Sequence, residues 1–244
     1  VKGCTVNTKD DGIIAYGPGS TNGYFCDNLV MGSTAWTTAA VGASGANLGE
    51  GIAMTGPGNV ICHNRVKGFR DCLSTLEDGE AINQTSIDIY GNDLDVCADD
   101  AIEADFSMGN TRVYENRVVN SFVGMSSQPS LGGPAYFIRN VMFNVIYSPF
   151  KLHRGSIGDV AFHNTVVKCG DAFAVYASDS WSRAWFRNNL FIGGAGGGTY
   201  GGYGNGDGDV LSLAAAVASC SFDYDGLGSI GTNKFTGSVG GQSF

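Results

Sequence analysis

The sequence has few prolines, few charged residues and no long apolar run. Only 5 of its 244 residues are proline and 15% are charged, whereas 38 are glycine and 43% are hydrophobic. No uninterrupted apolar stretch of about 18 residues occurs, so we expect no membrane-spanning segment. The hydrophobic content excludes a disordered chain, and the excess of glycine over proline favours many tight turns between short strands.

Basic residues are also scarce. There are 14 Lys and Arg against 23 Asp and Glu, which gives a net charge of -9. Phosphate binding requires a basic surface, so nucleic acid is excluded as the main partner. An acidic body can still carry a local basic cleft, and an anionic polysaccharide is compatible with this balance. The P-loop, HExxH and GxSxG motifs are absent.

The 7 cysteines include no CxxC pair, which argues against a zinc or thioredoxin-type site. The odd number leaves at least one free thiol if the others pair, and we expect a secreted or cell-surface protein. Cys26 and Cys62 occupy equivalent positions in the repeat described below, where either a disulfide or two buried thiols would fit. The chain begins at Val1 without a signal peptide, so we expect a mature form or a fragment.

One short phrase recurs along the chain: two apolar residues, any residue, Asn, any residue, and an apolar residue. Successive Asn residues are separated by 36, 28, 24, 24, 24 and 24 positions. They are Asn28, Asn64, Asn92, Asn116, Asn140, Asn164 and Asn188. The longer intervals indicate insertions, the first of which we place in the Ala/Gly/Thr-rich stretch 32–47.

A fixed period of this length has a physical explanation in a solenoid. A coil of about 24 residues holds three short strands, each pairing with its equivalent about 4.8 Å away in the next coil. Stacked Asn side chains then form a hydrogen-bonded ladder. We predict an all-β, single-stranded right-handed parallel β-helix over residues 1–193. Residues 194–244 are predicted to form a Gly-rich, partly irregular C-terminal coil or cap of the same domain.

The phrase and its period resemble the pectate-lyase-like superfamily of right-handed parallel β-helices. The resemblance covers about residues 20–195. This superfamily includes lyases, hydrolases, epimerases, tailspikes and non-catalytic proteins, so the resemblance implies the fold more strongly than an activity. The sequence lacks the Asp-Pro-His-Asp motif of alginate C5-epimerases and the Gly-His-Gly and Arg-Ile-Lys motifs of polygalacturonases.

Residues at the same distance in sequence after the ladder Asn of each coil should stack in a row across the coils. We call this distance the offset. Offset +11 gives Glu103 and Lys151, and offset +13 gives Asp105 and His153. The two-residue period of a strand predicts that all four lie on one outer face. Glu103 and Lys151 would lie two coils apart, at about 10 Å.

The resemblance implies an enzyme that cleaves an anionic polysaccharide by β-elimination. Ca²⁺ would bind the four acidic residues Glu103, Asp105, Asp100 and Asp99. Lys151 would be the base, with a lowered pKa, and His153 or Arg154 would protonate the leaving oxygen or hold the substrate carboxylate.

Alternatives remain open from the residues alone. Glu103 and Asp105 could instead be the acid and base of a glycoside hydrolase. The charges could also be ordinary surface residues of a non-catalytic glycan-binding or surface-structural solenoid, and Asp99 and Asp100 could serve a turn. The sequence does not indicate an oligomeric state.

A second polar row lies one residue before each ladder Asn. Arg139, His163 and Arg187 follow one another in this row as a basic stripe, which could bind a polyanion or simply face solvent. Trp36 lies in the 32–47 stretch, where it could stack on a sugar or pack its own loop.

Overall fold

The chain winds into a parallel β-solenoid whose coils repeat with the Asn phrase. The computed structural model describes residues 1–17, 19–75, 84–176, 181–214, 219–239 and 242–243; the side chains of 168, 169, 238, 239, 242 and 243 are not described. Every regular element in these ranges is a β-strand. The predicted all-β solenoid is therefore confirmed.

The first sheet contains a path of nine parallel strands, one from each coil. In spatial order they are β1 (Thr5–Asn7), β4 (Leu29–Met31), β7 (Arg65–Phe69), β10 (Asp93–Glu103), β12 (Arg117–Ser126), β14 (Val141–Lys151), β16 (Thr165–Cys169), β19 (Leu190–Gly193) and β24 (Gly226–Ser229). Three further strands join this sheet beside the path: β2 (Ile13–Ala15), β5 (Glu50–Met54) and β8 (Asp71–Ser74).

A second sheet stacks the strand that precedes each ladder Asn. Its order is β23 (Ser221–Asp223), β18 (Trp185–Arg187), β15 (Ile157–Phe162), β13 (Leu131–Ile138), β11 (Thr111–Tyr114), β9 (Asp88–Tyr90), β6 (Val60–Cys62) and β3 (Tyr24–Cys26). Since β23 and β24 pair with β18 and β19, the stacking continues beyond residue 193.

The remaining strands form smaller units. A third sheet contains β17 (Phe173–Val175), β22 (Leu211–Leu213) and β25 (Phe235–Thr236). Two antiparallel hairpins are formed by β20 (Thr199–Tyr200) with β21 (Tyr203–Gly204), and by β26 (Ser238–Val239) with β27 (Gln242–Ser243).

The Asn ladder is present as a continuous hydrogen-bonded column. Within it, the backbone N and side-chain Nδ2 of Asn116 both donate to Oδ1 of Asn140, at 3.0 Å each. Asn140 donates in the same way to Asn164. These buried amides satisfy one another and the adjacent backbone, so burial leaves few of their polar atoms without a partner.

The last member of the ladder differs from the prediction. Asn164 donates to Oδ1 of Asn189, not to Asn188, and Asn189 donates in turn to Oδ1 of Asp225 at 2.8 Å. Asn188 is exposed with a positive φ of 56°. The final interval is therefore 25 residues, and Arg187 pairs with Phe162 instead of continuing the row that contains Arg139 and His163.

The residue before each ladder position adopts the left-handed conformation, which turns the chain from the second sheet into the first. Its φ lies between 53° and 63° at all eight equivalent positions. They are Asp27, His63, Gly91, Glu115, Arg139, His163, Asn188 and Tyr224. A tight bend of this kind requires positive φ, and the ladder amide inside the bend stabilises it.

Two apolar columns flank the ladder and fill the solenoid. One lies three residues before the ladder position: Phe25, Ile61, Ile89, Val113, Phe137, Ala161 and Phe186. The other lies two residues after it: Val30, Val66, Leu94, Val118, Met142, Val166 and Phe191. Burying each large side chain contributes roughly 1.5–3 kcal/mol, and this core fixes which residues face outward.

A second bend divides the three longest strands. Val96, Asn120 and Asn144, four residues after their ladder Asn, have φ values of 58°, 60° and 59°. Beyond this bend the register shifts, and the C-terminal part of β10 pairs with β8 instead of β7. The C-terminal parts of β10, β12 and β14 thus continue a separate strand column with β5 and β8, which we call the third column.

Two disulfides link neighbouring coils. Cys26 pairs with Cys62, which resolves the alternative left open by the sequence, and Cys72 pairs with Cys97. Cys4 and Cys220 are free thiols. Two disulfides are consistent with an extracellular protein. In the described part of the chain, no helix has the length and apolar character needed to cross a membrane.

Candidate functional site

A cleft of about 440 Å³ lies over the outer face of the third column. Its lining combines cationic, acidic, amide and aromatic side chains. The residues are Ala43, Arg70, Asp99, Glu103, Phe122, Val123, Gln128, Tyr147, Lys151, His153, Arg154 and Tyr203. Five of the residues predicted from the offsets and the resemblance therefore lie in one cleft: Asp99, Glu103, Lys151, His153 and Arg154.

The walls of the cleft come from outside the regular coils. The stretch 32–47, between β4 and β5, forms one wall, and the β20–β21 hairpin forms another. Gly42 N donates to the carbonyl oxygen of Ala98 at 2.6 Å, which fixes the stretch over β10. A Cβ on Gly42 would come within 2.7 Å of the carbonyl oxygen of Tyr200, so the two walls are in close contact.

Glu103 and Lys151 belong to one stacked row, as the offsets predicted. Backbone pairing runs from Ser74 to Glu103, then to Ser126 and to Lys151. The intervening residue is Ser126, which lies 10 and not 11 positions after its ladder Asn, because β12 has one residue fewer than β10 and β14 between the bend and this row. Ser74 Oγ donates to Glu103 Oε2 at 2.7 Å, which orients this carboxylate.

Lys151 is held by a buried carboxylate beneath the cleft. Its Nζ forms an ion pair with Oδ2 of Asp100, whose side chain is 1% exposed. Burial alone would lower the pKa of Lys151, but Asp100, Asp105 and Asp99 outweigh that effect and raise the pKa above its ordinary value. The shift is opposite in direction to the predicted one, so Lys151 is a protonated cation at neutral pH.

Asp105 does not lie on the outer face. The strand β10 ends at Glu103, so the alternation of faces does not extend to residue 105. The Asp105 carboxylate is buried, where Oδ1 accepts hydrogen bonds from Ser126 Oγ and from Gln128 N. Burial, and next the charge of Glu103, raise its pKa well above the ordinary value.

Asp99 and Asp100 lie within β10, not in a turn. Asp99 is 5% exposed and lines the cleft, and its Oδ2 accepts from Arg70 Nη2 at 3.4 Å. Burial and the neighbouring Asp100 raise the pKa of Asp99 to about 7, although Lys151 and Arg70 act in the opposite direction. This carboxyl group therefore titrates near neutral pH.

Three carboxylates form a group at the edge of the site that could hold a metal ion. One oxygen from each of Glu50, Asp71 and Glu103 lies within 4.8 Å of the others. Glu50 and Asp71 are paired residues of β5 and β8. Oxygens that share one Ca²⁺ ion lie at 2.3–2.6 Å from it, so these separations fit a single ion.

The electrostatics of this group favour a cation or protons. Burial and the charge of Glu103 raise the pKa of Glu50 to about 8. Burial, Glu50 and Glu103 also raise the pKa of Asp71 well above its ordinary value. Glu50 Oε2 is buried and has no hydrogen-bond partner among the described residues. Carboxylates in this situation gain from binding either a proton or a metal ion.

The other predicted metal ligands are engaged elsewhere. The Asp100 carboxylate pairs with Lys151, the Asp105 carboxylate accepts from Ser126 and Gln128, and Asp99 contacts Arg70. Of the predicted set, only Glu103 belongs to the group of three.

Sequence reasoning missed Glu50, Asp71 and Arg70. These residues precede the regular part of the repeat, where the ladder intervals are 36 and 28 residues, so offset counting did not align them with Glu103. In the structure β8 pairs with β10 at an offset of 29 residues, with Ser74 opposite Glu103, and the 24-residue period does not predict that offset.

The predicted basic stripe lies outside the cleft. Arg139 is exposed at the bend before the ladder and forms an ion pair with Glu115. Arg187 lies over the ring of Trp185 and donates to the backbone and side chain of Ser221. Since Arg187 is out of register with His163, the three predicted residues do not form one continuous row.

No protein-family model, curated protein or solved structure matches the chain. The molecule is a parallel β-solenoid of nine coils with an Asn ladder and a cleft rich in ionisable groups.

Proposed function

We propose that this protein is an exported carbohydrate-active enzyme that cleaves an anionic polysaccharide by β-elimination in the cleft. The observation that carries this proposal is that Lys151, His153 and Arg154 line the same cleft as Glu103. Cationic groups next to proton-transfer groups are what the reaction requires, because the proton removed lies α to a carboxylate that must be neutralised.

The roles differ from those expected from the sequence. Lys151 remains protonated, so its proposed role is to neutralise the uronate carboxylate together with the exposed Arg154. His153 is then the proposed base that removes the proton α to the carboxylate. The electron pair of that C–H bond forms the new C=C bond, and the glycosidic C–O bond breaks as its oxygen takes up a proton.

Asp99 is the proposed source of the proton for the leaving oxygen. Its carboxyl group faces the cleft and its pKa is raised to about 7, so a useful fraction is protonated at neutral pH. In the predicted scheme this step belonged to His153 or Arg154.

Ca²⁺ is the proposed occupant of the Glu50, Asp71 and Glu103 group. These side chains offer only oxygen ligands, and the buried, unpartnered Oε2 of Glu50 is accounted for by a bound cation. When bound, Ca²⁺ supplies positive charge that offsets the acidic groups and favours an anionic substrate.

Glycoside hydrolysis is the second candidate, and a specific observation favours it. Glu50 has a pKa raised to about 8 and lies beside Glu103, as in the acid and base pairs of glycosidases. In this scheme Glu50 replaces Asp105, which is buried beneath Ser126 and Gln128.

The test is an absorbance assay for unsaturated uronate with polygalacturonate and alginate, with and without EDTA. We expect turnover by the wild-type protein, loss of at least a hundredfold in His153→Gln, and a similar loss in Glu103→Gln. Arg139→Ala is the matched control, because it removes a cation outside the cleft. EDTA is expected to lower the rate.

Other outcomes distinguish the alternatives. Reducing ends without unsaturated product, retained in His153→Gln and lost in Glu103→Gln, would favour hydrolysis. Binding without turnover would favour a glycan-binding solenoid. The absence of both binding and turnover on every glycan would contradict the proposal.

A further inference from the structure

A second pocket of about 310 Å³ opens beside the cleft, next to the bend at Asn144 that divides β14. Its lining contains two aromatic rings, two hydroxyl groups, one amide and two aliphatic side chains. The residues are Trp36, Thr37, Thr38, Val41, Asn144, Ile146 and Tyr200. A volume near 300 Å³ is at the lower end for small-ligand sites and suits one sugar ring.

The second pocket and the cleft are neighbours built from the same elements. Three elements supply residues to both: the 32–47 stretch gives Val41 and Ala43, β14 gives Ile146 and Tyr147, and the β20–β21 hairpin gives Tyr200 and Tyr203. Adjacent strand residues are about 3.3 Å apart along the chain, so Ile146 and Tyr147 bring the two sites side by side. Neighbouring units of one polymer are therefore close enough in space to reach one site each.

The chemistry of the second pocket differs from that of the cleft. Among the residues that the structure describes, the phenol of Tyr200 is the only ionisable group that lines it, whereas Arg70, Lys151 and Glu103 line the cleft. Trp36 and Tyr200 are half-buried and pack against the cluster formed by Val41, Phe122, Val123 and Ile146. Rigid, partly exposed rings next to hydroxyl and amide groups fit the apolar face and the hydroxyls of a pyranose.

The backbone conformation and the hydrogen bonds of Asn144 hold its side-chain amide in place. It occupies the left-handed bend with a φ of 59°, and its Nδ2 donates to Asn120 Oδ1 at 2.7 Å. Asn120 in turn donates to Asp95 Oδ1 at 2.9 Å. This chain of hydrogen bonds orients the amide at the pocket floor, which reduces the entropy lost when a ligand binds.

We propose that the pocket formed by Trp36, Asn144 and Tyr200 binds a second sugar unit of the same glycan chain, through ring stacking and neutral hydrogen bonds. This inference rests on the proposed glycan-binding function of the cleft. It makes the protein selective for oligomers and polymers over disaccharides, with charge recognised in the cleft and ring shape recognised in the pocket.

The test is calorimetric titration with size-defined oligogalacturonates and oligoalginates, from disaccharide to hexasaccharide. The wild-type affinity is expected to rise with chain length. Trp36→Ala is expected to weaken hexasaccharide binding roughly tenfold, in line with the contribution of one aromatic contact, and to leave disaccharide binding unchanged. Raising the salt concentration should weaken binding at every length but leave the gain from added units unaltered.

Asn144→Gly provides a second variant in case the loss of Trp36 loosens the wall. Glycine keeps the left-handed backbone and removes only the amide. It should also reduce the gain with chain length, whereas Arg139→Ala should not. Equal affinity losses for short and long oligomers, or none in either variant, would overturn this inference and leave the cleft proposal intact. No binding at any length would overturn both.

Discussion

Lys151 and Asp100 form an ion pair beneath the cleft although 51 positions separate them in the chain. They lie two coils apart, and the Asp100 side chain is almost fully buried. The pair joins a cleft cation to the strand column below, so it contributes both to the site and to the stability of the stack.

Removing the cation should therefore destabilise the fold. Lys151→Ala leaves a buried carboxylate without its partner, for which the expected cost is about 3–5 kcal/mol in the free energy of unfolding. Lys67→Ala is the control, because Lys67 pairs with Asp95 at a more exposed position and should cost less than about 1 kcal/mol. Denaturant unfolding measures both. Equal, small effects would show that Asp100 is not buried as described.

The double variant Lys151→Ala/Asp100→Asn should recover part of that loss. The neutral amide does not carry the charge that was left unpaired, so its desolvation costs less than that of the carboxylate. A double variant no more stable than Lys151→Ala would contradict the ion-pair explanation.

Glu50 should make stability fall with rising pH. Its pKa is raised from 4.5 to about 8, so between these values the folded protein binds more protons than the unfolded chain, and the free energy of unfolding decreases as pH rises. Each pKa unit corresponds to roughly 1.4 kcal/mol. Thermal unfolding of wild type and Glu50→Gln in EDTA across this range measures the effect, which the variant should reduce. Glu115→Gln, an exposed carboxyl group, is the control.

Ca²⁺ should reverse this dependence. The ion competes with protons at Glu50, Asp71 and Glu103, so the increase in melting temperature on adding Ca²⁺ should grow from pH 5 to pH 8. Glu103→Gln should reduce it. A melting temperature insensitive to Ca²⁺ at every pH would exclude a calcium site there.

The ladder assignment at the C-terminal end can be tested with adjacent residues. Asn189→Ala removes hydrogen bonds to Ala161 and Asp225 and those accepted from Asn164, with an expected cost of roughly 2–3 kcal/mol. Asn188 is the exposed residue next to it, and Asn188→Gly preserves the positive φ at that position. This substitution should change stability by less than about 0.5 kcal/mol. Chemical denaturation measures both. A larger loss of stability in Asn188→Gly than in Asn189→Ala would show that Asn188 is the ladder residue, 24 positions after Asn164.

The Cys26–Cys62 bond links the second and third coils of the stack. Replacing both residues by Ala should lower the free energy of unfolding by about 2–4 kcal/mol. A peptide map under non-reducing conditions should contain the Cys26–Cys62 and Cys72–Cys97 pairs. Free thiols at Cys26 or Cys62 in protein purified without reductant would contradict the pairing.

The regular coils could be predicted because the buried Asn of each coil must form hydrogen bonds with the equivalent Asn of the neighbouring coils. Asn92, Asn116, Asn140 and Asn164 occur at equal intervals, and the register follows directly from that spacing. At the end of the repeat, Asn188 and Asn189 are adjacent. Each is followed two positions later by an apolar residue, so the repeat phrase does not distinguish them. The structure does, because Phe191 is buried and Leu190 is exposed.

The site was only partly predictable for the same reason. Glu103 and Lys151 lie inside the regular region, so their row was correctly identified. After the left-handed bends at Val96 and Asn120, β12 has one residue fewer than β10, and no distinctive residue type marks this change of register. The change determines which side chains of the third column face the cleft. Glu50 reaches the site through a coil of irregular length, which the period cannot locate.

The most direct test of the account is a crystal structure of the Glu103→Gln variant soaked with an oligogalacturonate. The account predicts electron density for the sugar chain in the cleft, with a uronate carboxylate within hydrogen-bonding distance of Lys151 Nζ and the Arg154 guanidinium, and His153 next to the carbon that loses its proton. An oligosaccharide bound only elsewhere on the solenoid, or an empty cleft at saturating concentration, would contradict it.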